Sequence, residues 1–311
     1  MLKKRSVYCQ IESNNRKIIA LVVFFPIALL LFVGAFFCLF GLMVNPEERQ
    51  ELMSLFAMIM PWLMVVCIVL TLLSMCWGDK MMLSFSKAEP CISTNKNHLK
   101  IYRAVENVAL AAGLPTPKVY LIDDSSLNAF ATGFSPKNAS IALTTGLVEK
   151  LEPLELQAVV AHEMAHIKNR DVRLNMYIIT GIGIIGLVGE ILLRTCGRSN
   201  RSNQKSNLGF FLILTACLFL LFRYLIAPII HMAISRNQEF QADATGAFFT
   251  RNPAALASAL QKISKDPRVE ALDKSTQMSV ACIYNPLEKI DSLLDTHPPV
   301  ADRIQRLNEM S

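Results

Sequence analysis

The sequence predicts an α+β protein, mostly α-helical and integral to a membrane, with a small antiparallel sheet and two to four transmembrane helices. Three observations predict this. Apolar residues fill 52% of the 311 positions and mean hydropathy is +0.37, too high for an ordinary soluble chain of this length. Residues 18–44 and 52–77 carry no charged side chain, and each run exceeds the ~20 residues that cross a bilayer core of ~30 Å. Three short extended runs, Val119–Ile122, Ala129–Thr132 and Ser140–Thr144, are punctuated by Asp, Ser, Pro and Asn and read as a small antiparallel sheet.

Taken in order, residues 1–17 form a basic N-terminal segment with Lys3, Lys4, Arg5, Arg16 and Lys17. Residues 18–78 hold two expected transmembrane helices, the first too long for the ~7 to 15 apolar residues of a cleavable signal. Their connection, Asn45 to Glu51, has three glutamates against one arginine. The positive-inside rule therefore places the N-terminus, and the chain from Asp79 onward, in the cytoplasm. Leu99 to Ala112 reads as an amphipathic helix ending before Gly113 and Pro115. Two further apolar runs follow, Leu174 to Leu193 and Leu208 to Met232, joined by a loop with Arg194, Arg198, Arg201 and Lys205 and no acid. They fit either a hairpin that spans the bilayer or one that stays on the cytosolic side, and Gly181, Gly183, Gly186 and Gly189 let another helix approach closely in both cases. Pro253 opens a helix over Ala254 to Ile263, Asp266 to Met278 reads as a polar loop, and Ile290 to Leu294 as a short helix.

The most informative stretch is Ala161-His-Glu-Met-Ala-His166. The preceding residues, Leu154, Ala158, Val159 and Ala161, make an apolar helix without Gly or Pro up to His166. Positions i and i+4 share a helix face, so His162 and His166 can reach one tetrahedral Zn²⁺ while Glu163 acts as a general base on water. A third protein ligand must come from elsewhere. Glu239 suits that role, and Asp243, four residues on, is placed to orient a ligand imidazole from behind.

At this point the chain resembles the HtpX-type membrane zinc metalloproteases, gluzincins related to the CAAX-processing proteases. Four segments carry the likeness: Asn128 to Gly133; His162 to His166 with Asn169 and Asp171 after it; Ser235 and Arg236 through Glu239 to Asp243 and Ala244, with Gly246 and Ala247; and Thr296-His-Pro-Pro-Val300 with Arg303. The resemblance implies a gluzincin-type metalloprotease domain split into residues 79–173 and 233–311, with the hydrophobic hairpin 174–232 inserted. It implies one Zn²⁺ per chain on His162, His166 and Glu239, with Glu163 as general base and acid. It also implies that His297 and Arg303 steady an oxyanion near the metal; read from the residues alone, His297-Pro-Pro is equally a rigid turn and Arg303 equally the partner of an acid. The segment Asn128, Ala129, Phe130 and Ala131 is expected to pair with an extended substrate backbone as an edge strand, the alternative being an ordinary core strand.

These features point to a zinc endopeptidase in the bacterial inner membrane, its site facing the cytoplasm. Its partners are the lipid bilayer and unfolded or membrane-protein substrates, and its implied role is quality control of damaged proteins. Two other readings stand beside it: a processing protease for a specific prenylated substrate, and a non-catalytic scaffold or chaperone that keeps the fold. The net charge of +6 concentrates at positions flanking apolar runs, which suits anionic lipid and excludes a nucleic-acid footprint. The eight cysteines contain no CxxC and read as small hydrophobes without a disulfide framework.

Overall fold

The computed structural model describes residues 11–20, 27, 30, 31, 34, 38, 41, 45–92, 98–177, 186, 189–191, 193, 194, 207–265 and 298–310. The expected loop at 266–278, the short helix at 290–294, His297 and most of the 18–44 and 174–193 runs lie outside the described residues. The chain divides into two compact units, one made of 1–15, 77–179 and 228–311, the other of 16–76 and 180–227.

Helix α1, with residues 11–20 described, comes first, followed by α2 (Pro46–Phe85). The first unit continues with β1 (Glu89–Pro90), α3 (Leu99–Ala112), β2 (Lys118–Ile122), β3 (Ala129–Thr132), β4 (Ser140–Thr144), α4 (Thr145–Lys150) and α5 (Pro153–Asn169). Residues 171–177 form α6, and α7 (Asn207–Thr250), α8 (Pro253–Ile263) and α9 (Val300–Asn308) complete the described chain.

The sheet runs in the order β1-β2-β4-β3. It is mixed, not antiparallel as expected from the sequence: β2 and β4 are parallel, while β1 pairs antiparallel with β2 and β3 with β4. The reason is the path of the chain. It leaves β2 for the edge, lays down β3, turns through a 3₁₀ helix at Pro136–Asn138 and returns as β4 between its predecessors. Three runs with short connections read as a meander because propensity carries no information on which neighbour a strand chooses.

Helix α5 is the axis of this unit. Pro153 starts it at a position where its missing N–H is no loss, and Glu152 and Glu155 close a reciprocal capping box. Arg170, in the left-handed region at φ 62°, ends it. Val159, Val160, Ala161, Met164 and Ala165 are fully buried, so the helix is enclosed rather than amphipathic. Its apolar flank joins α3 and the sheet through Ile101, Val105, Ile141 and Leu143. Glu155, beside Ser258 Oγ at 2.6 Å and Lys262 Nζ at 2.7 Å, ties it to α8.

In the second unit, a Cβ on Gly189 would stand 3.2 Å from Leu220 and 3.4 Å from Phe219 Cβ, so the glycine permits a close helix contact. Along α2, Trp62, Ile68, Leu72 and Trp77 are exposed. Residues 52–77 fall inside α2, yet taken over the described residues no helix is long and apolar enough to cross a membrane.

Candidate metal centre

His162 and His166 project from one face of α5, and their Nε2 atoms lie 3.1 Å apart. Glu239 enters from α7, placing Oε2 3.5 Å from His162 Nε2 and Oε1 3.4 Å from His166 Nε2. His162 and Glu239 are buried and His166 is partly so, and among the described residues the three form the cluster able to hold a metal ion. The donor set fits zinc. With bonds of ~2.0 to 2.2 Å, ligand atoms around a tetrahedral ion stand roughly 3.3 Å apart, close to the edges seen here.

The close approach of α7 to α5 has a local cause. Gly246 faces the start of the motif, where an added Cβ would sit 3.0 Å from His162 N and 3.1 Å from both His162 Cα and Ala161 C. Those are backbone atoms that cannot step aside, so glycine sets the separation at which Glu239 meets the histidines.

Each imidazole is held from behind by a carboxylate. Asp243 Oδ1 is 3.0 Å from His162 Nδ1, and Asp171 Oδ2 is 3.1 Å from His166 Nδ1. The hydrogen bond to Asp171 favours the proton on His166 Nδ1 and leaves its Nε2 lone pair facing inward, as a ligand requires, while Asp243 meets His162 Nδ1 as a close charge contact. Asp243 thus lies behind His162, at the place from which it is expected to orient the ring. Asp171 performs the same service for His166, a role that sequence reasoning did not assign. Its signal was an acid five residues beyond His166, which helical spacing alone cannot aim, because the chain passes through the left-handed Arg170 between them.

Arg303, on α9, is 1% exposed. Its Nε and one terminal nitrogen donate to Asp243 at 2.8 and 2.7 Å, and the other terminal nitrogen lies 3.2 Å from Glu239 Oε2. Arg303 pairs with acids, and one of its terminal nitrogens also lies 3.5 Å from His162 Nε2, so it stands beside the ligand atoms as well. Arg306, stacked 3.7 Å from the Phe240 ring centroid, fastens α9 to α7 beside it. His297 lies outside the described residues, while Pro298 is buried and Pro299 caps α9.

Burial, reinforced by Glu239, raises the Glu163 carboxyl above its ordinary value against the opposing pull of His162 and His166. The Ala131 N–H donates to it from β3. Burial opposes charging of His162, but Asp243 and Glu239 outweigh it and raise the imidazole; His166 is raised well above its usual range, with Glu239 and Asp171 overcoming burial. Asp243 is lowered despite its burial, because Arg303 and His162 favour its charged form.

The expected substrate strand sits at the sheet edge beside this site. Ala129, Phe130 and Ala131 are buried, and β3 packs on α5. The Asn128 backbone is spent on Thr144 of β4, while its side-chain oxygen accepts from Ala129 N at 2.8 Å. Backbone groups alternate sides along a strand, so those of Ala129 and Ala131 point away from β4.

Residues 95–311 match the family model "Peptidase family M48". A protein named "Protease HtpX homolog" from Thermoanaerobacter pseudethanolicus is 40% identical over 238 residues, covering 75% of this chain and 79% of its own. Another of the same name, from Dictyoglomus thermophilum, is 36% identical over 314 residues, covering 99% and 96%. A crystal structure of S. mikatae Ste24p aligns with a TM-score of 0.47 at 21% identity, covering 94% of this chain and 67% of that one.

Proposed function

The chain belongs to peptidase family M48, and from that premise we propose that it is a zinc-dependent endopeptidase, anchored in a membrane, that cleaves unfolded or membrane proteins on the cytosolic side. The observation that carries the reading is the meeting of Glu239 with His162 and His166 at 3.4 to 3.5 Å, with Glu163 beside them. These three side chains would hold the zinc, which when bound would supply a Lewis acid for the peptide carbonyl and the attacking water.

The remaining chemistry belongs to the protein. Glu163, its proton affinity raised by burial, takes the proton of the attacking water and returns it to the leaving nitrogen. Asp171 keeps His166 in the tautomer that offers Nε2, and the charge of Asp243 stands behind His162. Arg303 holds Asp243 and Glu239 in place, a positioning role supported by its burial and its three carboxylate contacts. Edge strand β3 supports the binding of an extended peptide through the outward carbonyls of Ala129 and Ala131, whose N–H groups are taken by Asn128 Oδ1 and Glu163, and main-chain pairing of this kind holds substrates with little regard to side chain. The membrane assignment is supported by the uncharged runs 18–44 and 52–77 and by the exposed Trp62, Ile68, Leu72 and Trp77 of α2. Quality control of damaged proteins accords with such unselective binding, and the bacterial inner membrane with the positive-inside charge pattern.

The test is metal content and casein cleavage by the detergent-purified full chain. Wild type is expected to hold stoichiometric zinc and to lose activity on chelation. Glu163→Gln should keep the zinc and lose about 10² to 10⁴ in turnover. His166→Ala should lose both. Full turnover in Glu163→Gln refutes the mechanism, and chelator-insensitive cleavage refutes the metal.

A further inference from the structure

Asn14 belongs to α1, ahead of the first uncharged run, and is completely buried. Its amide nitrogen donates to the backbone oxygen of Asn169 at 2.9 Å and to Asp171 Oδ1 at 2.6 Å. Its oxygen accepts from Gln238 Nε2 at 3.4 Å. One side chain thus joins three places: the open end of α5, the carboxylate behind His166, and the residue next to Glu239.

A terminal helical carbonyl needs a partner from outside its helix, and Asn169 finds one here. Asp171 has two oxygens, one facing His166 and the other facing Asn14. With both occupied, the carboxylate cannot rotate, so the imidazole it supports is fixed as well. An asparagine suits the position because it supplies two donors and an acceptor without adding charge. Neighbouring Asn15 accepts from Arg170 at 3.4 Å, and among the described residues no contact to His166, Asp171 or Glu239 is seen for it.

We infer that Asn14 is a positioning residue of the metal centre: by holding Asp171 it makes the docking of the N-terminal segment part of the His166 site. The inference rests on the zinc reading above and extends it to a segment far from the motif in sequence. The consequence is a centre whose rigidity depends on α1 staying in place.

The test compares full-length wild type, Asn14→Leu and Asn15→Ala. Zinc release to a chromophoric chelator and the visible spectrum of the cobalt-substituted protein are the readouts, with far-ultraviolet circular dichroism as the check on folding. Asn14→Leu should release zinc about tenfold faster, with a shifted cobalt band and a lower kcat at unchanged KM; Asn15→Ala should match wild type. In the double variant Asn14→Leu/Asp171→Asn, release should be no faster than in Asp171→Asn alone, because Asn14 acts through Asp171. Where Asn14→Leu does not fold, Asn14→Ser must show the same direction of change. A wild-type cobalt spectrum and release rate in Asn14 variants, or additive effects in the double variant, overturns the inference. A wild type that holds no zinc overturns the reading beneath it, and the inference with it.

Discussion

The two histidines of the motif are supported by similar chains of contacts built from different chemistry. Behind His162 stand Asp243 and then Arg303, a buried ion pair with bidentate geometry, contributed by α7 and α9. Behind His166 stand Asp171 and then Asn14, a neutral donor contributed by α6 and α1. The first arrangement is the more costly to break, since an unpaired charge would remain in a dry interior, while losing the outer member of the second leaves unmet hydrogen bonds at Asn169 O, Asp171 Oδ1 and Gln238 Nε2 but no stranded cation. The difference teaches that the C-terminal side of the centre is locked by electrostatics and the N-terminal side is held by docking.

Arg303→Met probes the contrast most severely. It strands Asp243 beside Glu239, and chemical unfolding should show a loss of about 3 to 5 kcal/mol. A loss below that of Asn14→Leu would reverse the ranking of the two sides. Next come the carboxylates. Asp243→Asn and Asp171→Asn should each weaken zinc binding about 10- to 100-fold by competition with a chelator. Only Asp243→Asn should also lower unfolding stability substantially, because it takes from buried Arg303 the carboxylate it holds with two nitrogens and leaves Glu239 as its charged partner; equal stabilities for the two variants would break the comparison.

Gly246→Ala tests the His162 side through packing. Its methyl group meets the backbone at 3.0 to 3.1 Å, so a destabilisation of about 1 to 3 kcal/mol is expected. Mutant and wild-type stability within error would show that α7 can move away from α5 freely.

The smallest expected effect is in pH dependence. In metal-free protein both imidazoles have folded values above the ordinary one, raised by carboxylates against the cost of burial. Their contribution to stability is fully present below about pH 6.5 and is lost as pH rises through the raised folded values. Zinc must displace those protons, so apparent affinity should keep climbing above pH 6.5. Thermal melts of metal-free protein that gain stability over the same range would contradict the sign.

Much of this centre was legible from spacing. His162, Glu163 and His166 on one helix, and Glu239 four residues from Asp243 on another, follow from a 3.6-residue period, and the structure finds them as expected. Helices α3 and α8 were likewise marked by their apolar periodicity and by Gly113 and Pro253 at their ends. Strand β1 was not, since two residues, Glu89 and Pro90, carry no pattern. The same holds for the support behind His166, since nothing local in Asn14 distinguishes it from Asn15 beside it.

Sequence by itself determined which candidate ligands and acids share a helix face and which helices present them, because these depend on neighbours within a turn or two. Tertiary structure alone decided that β4 inserts between β2 and β3, that Gly246 sets how near α7 comes to α5, that Arg303 spends its donors on Asp243 and Glu239, and that Asn14 reaches Asp171. Each of those depends on contacts between residues distant along the chain, and such contacts are selected by the packing of the whole interior, which no short stretch of sequence encodes.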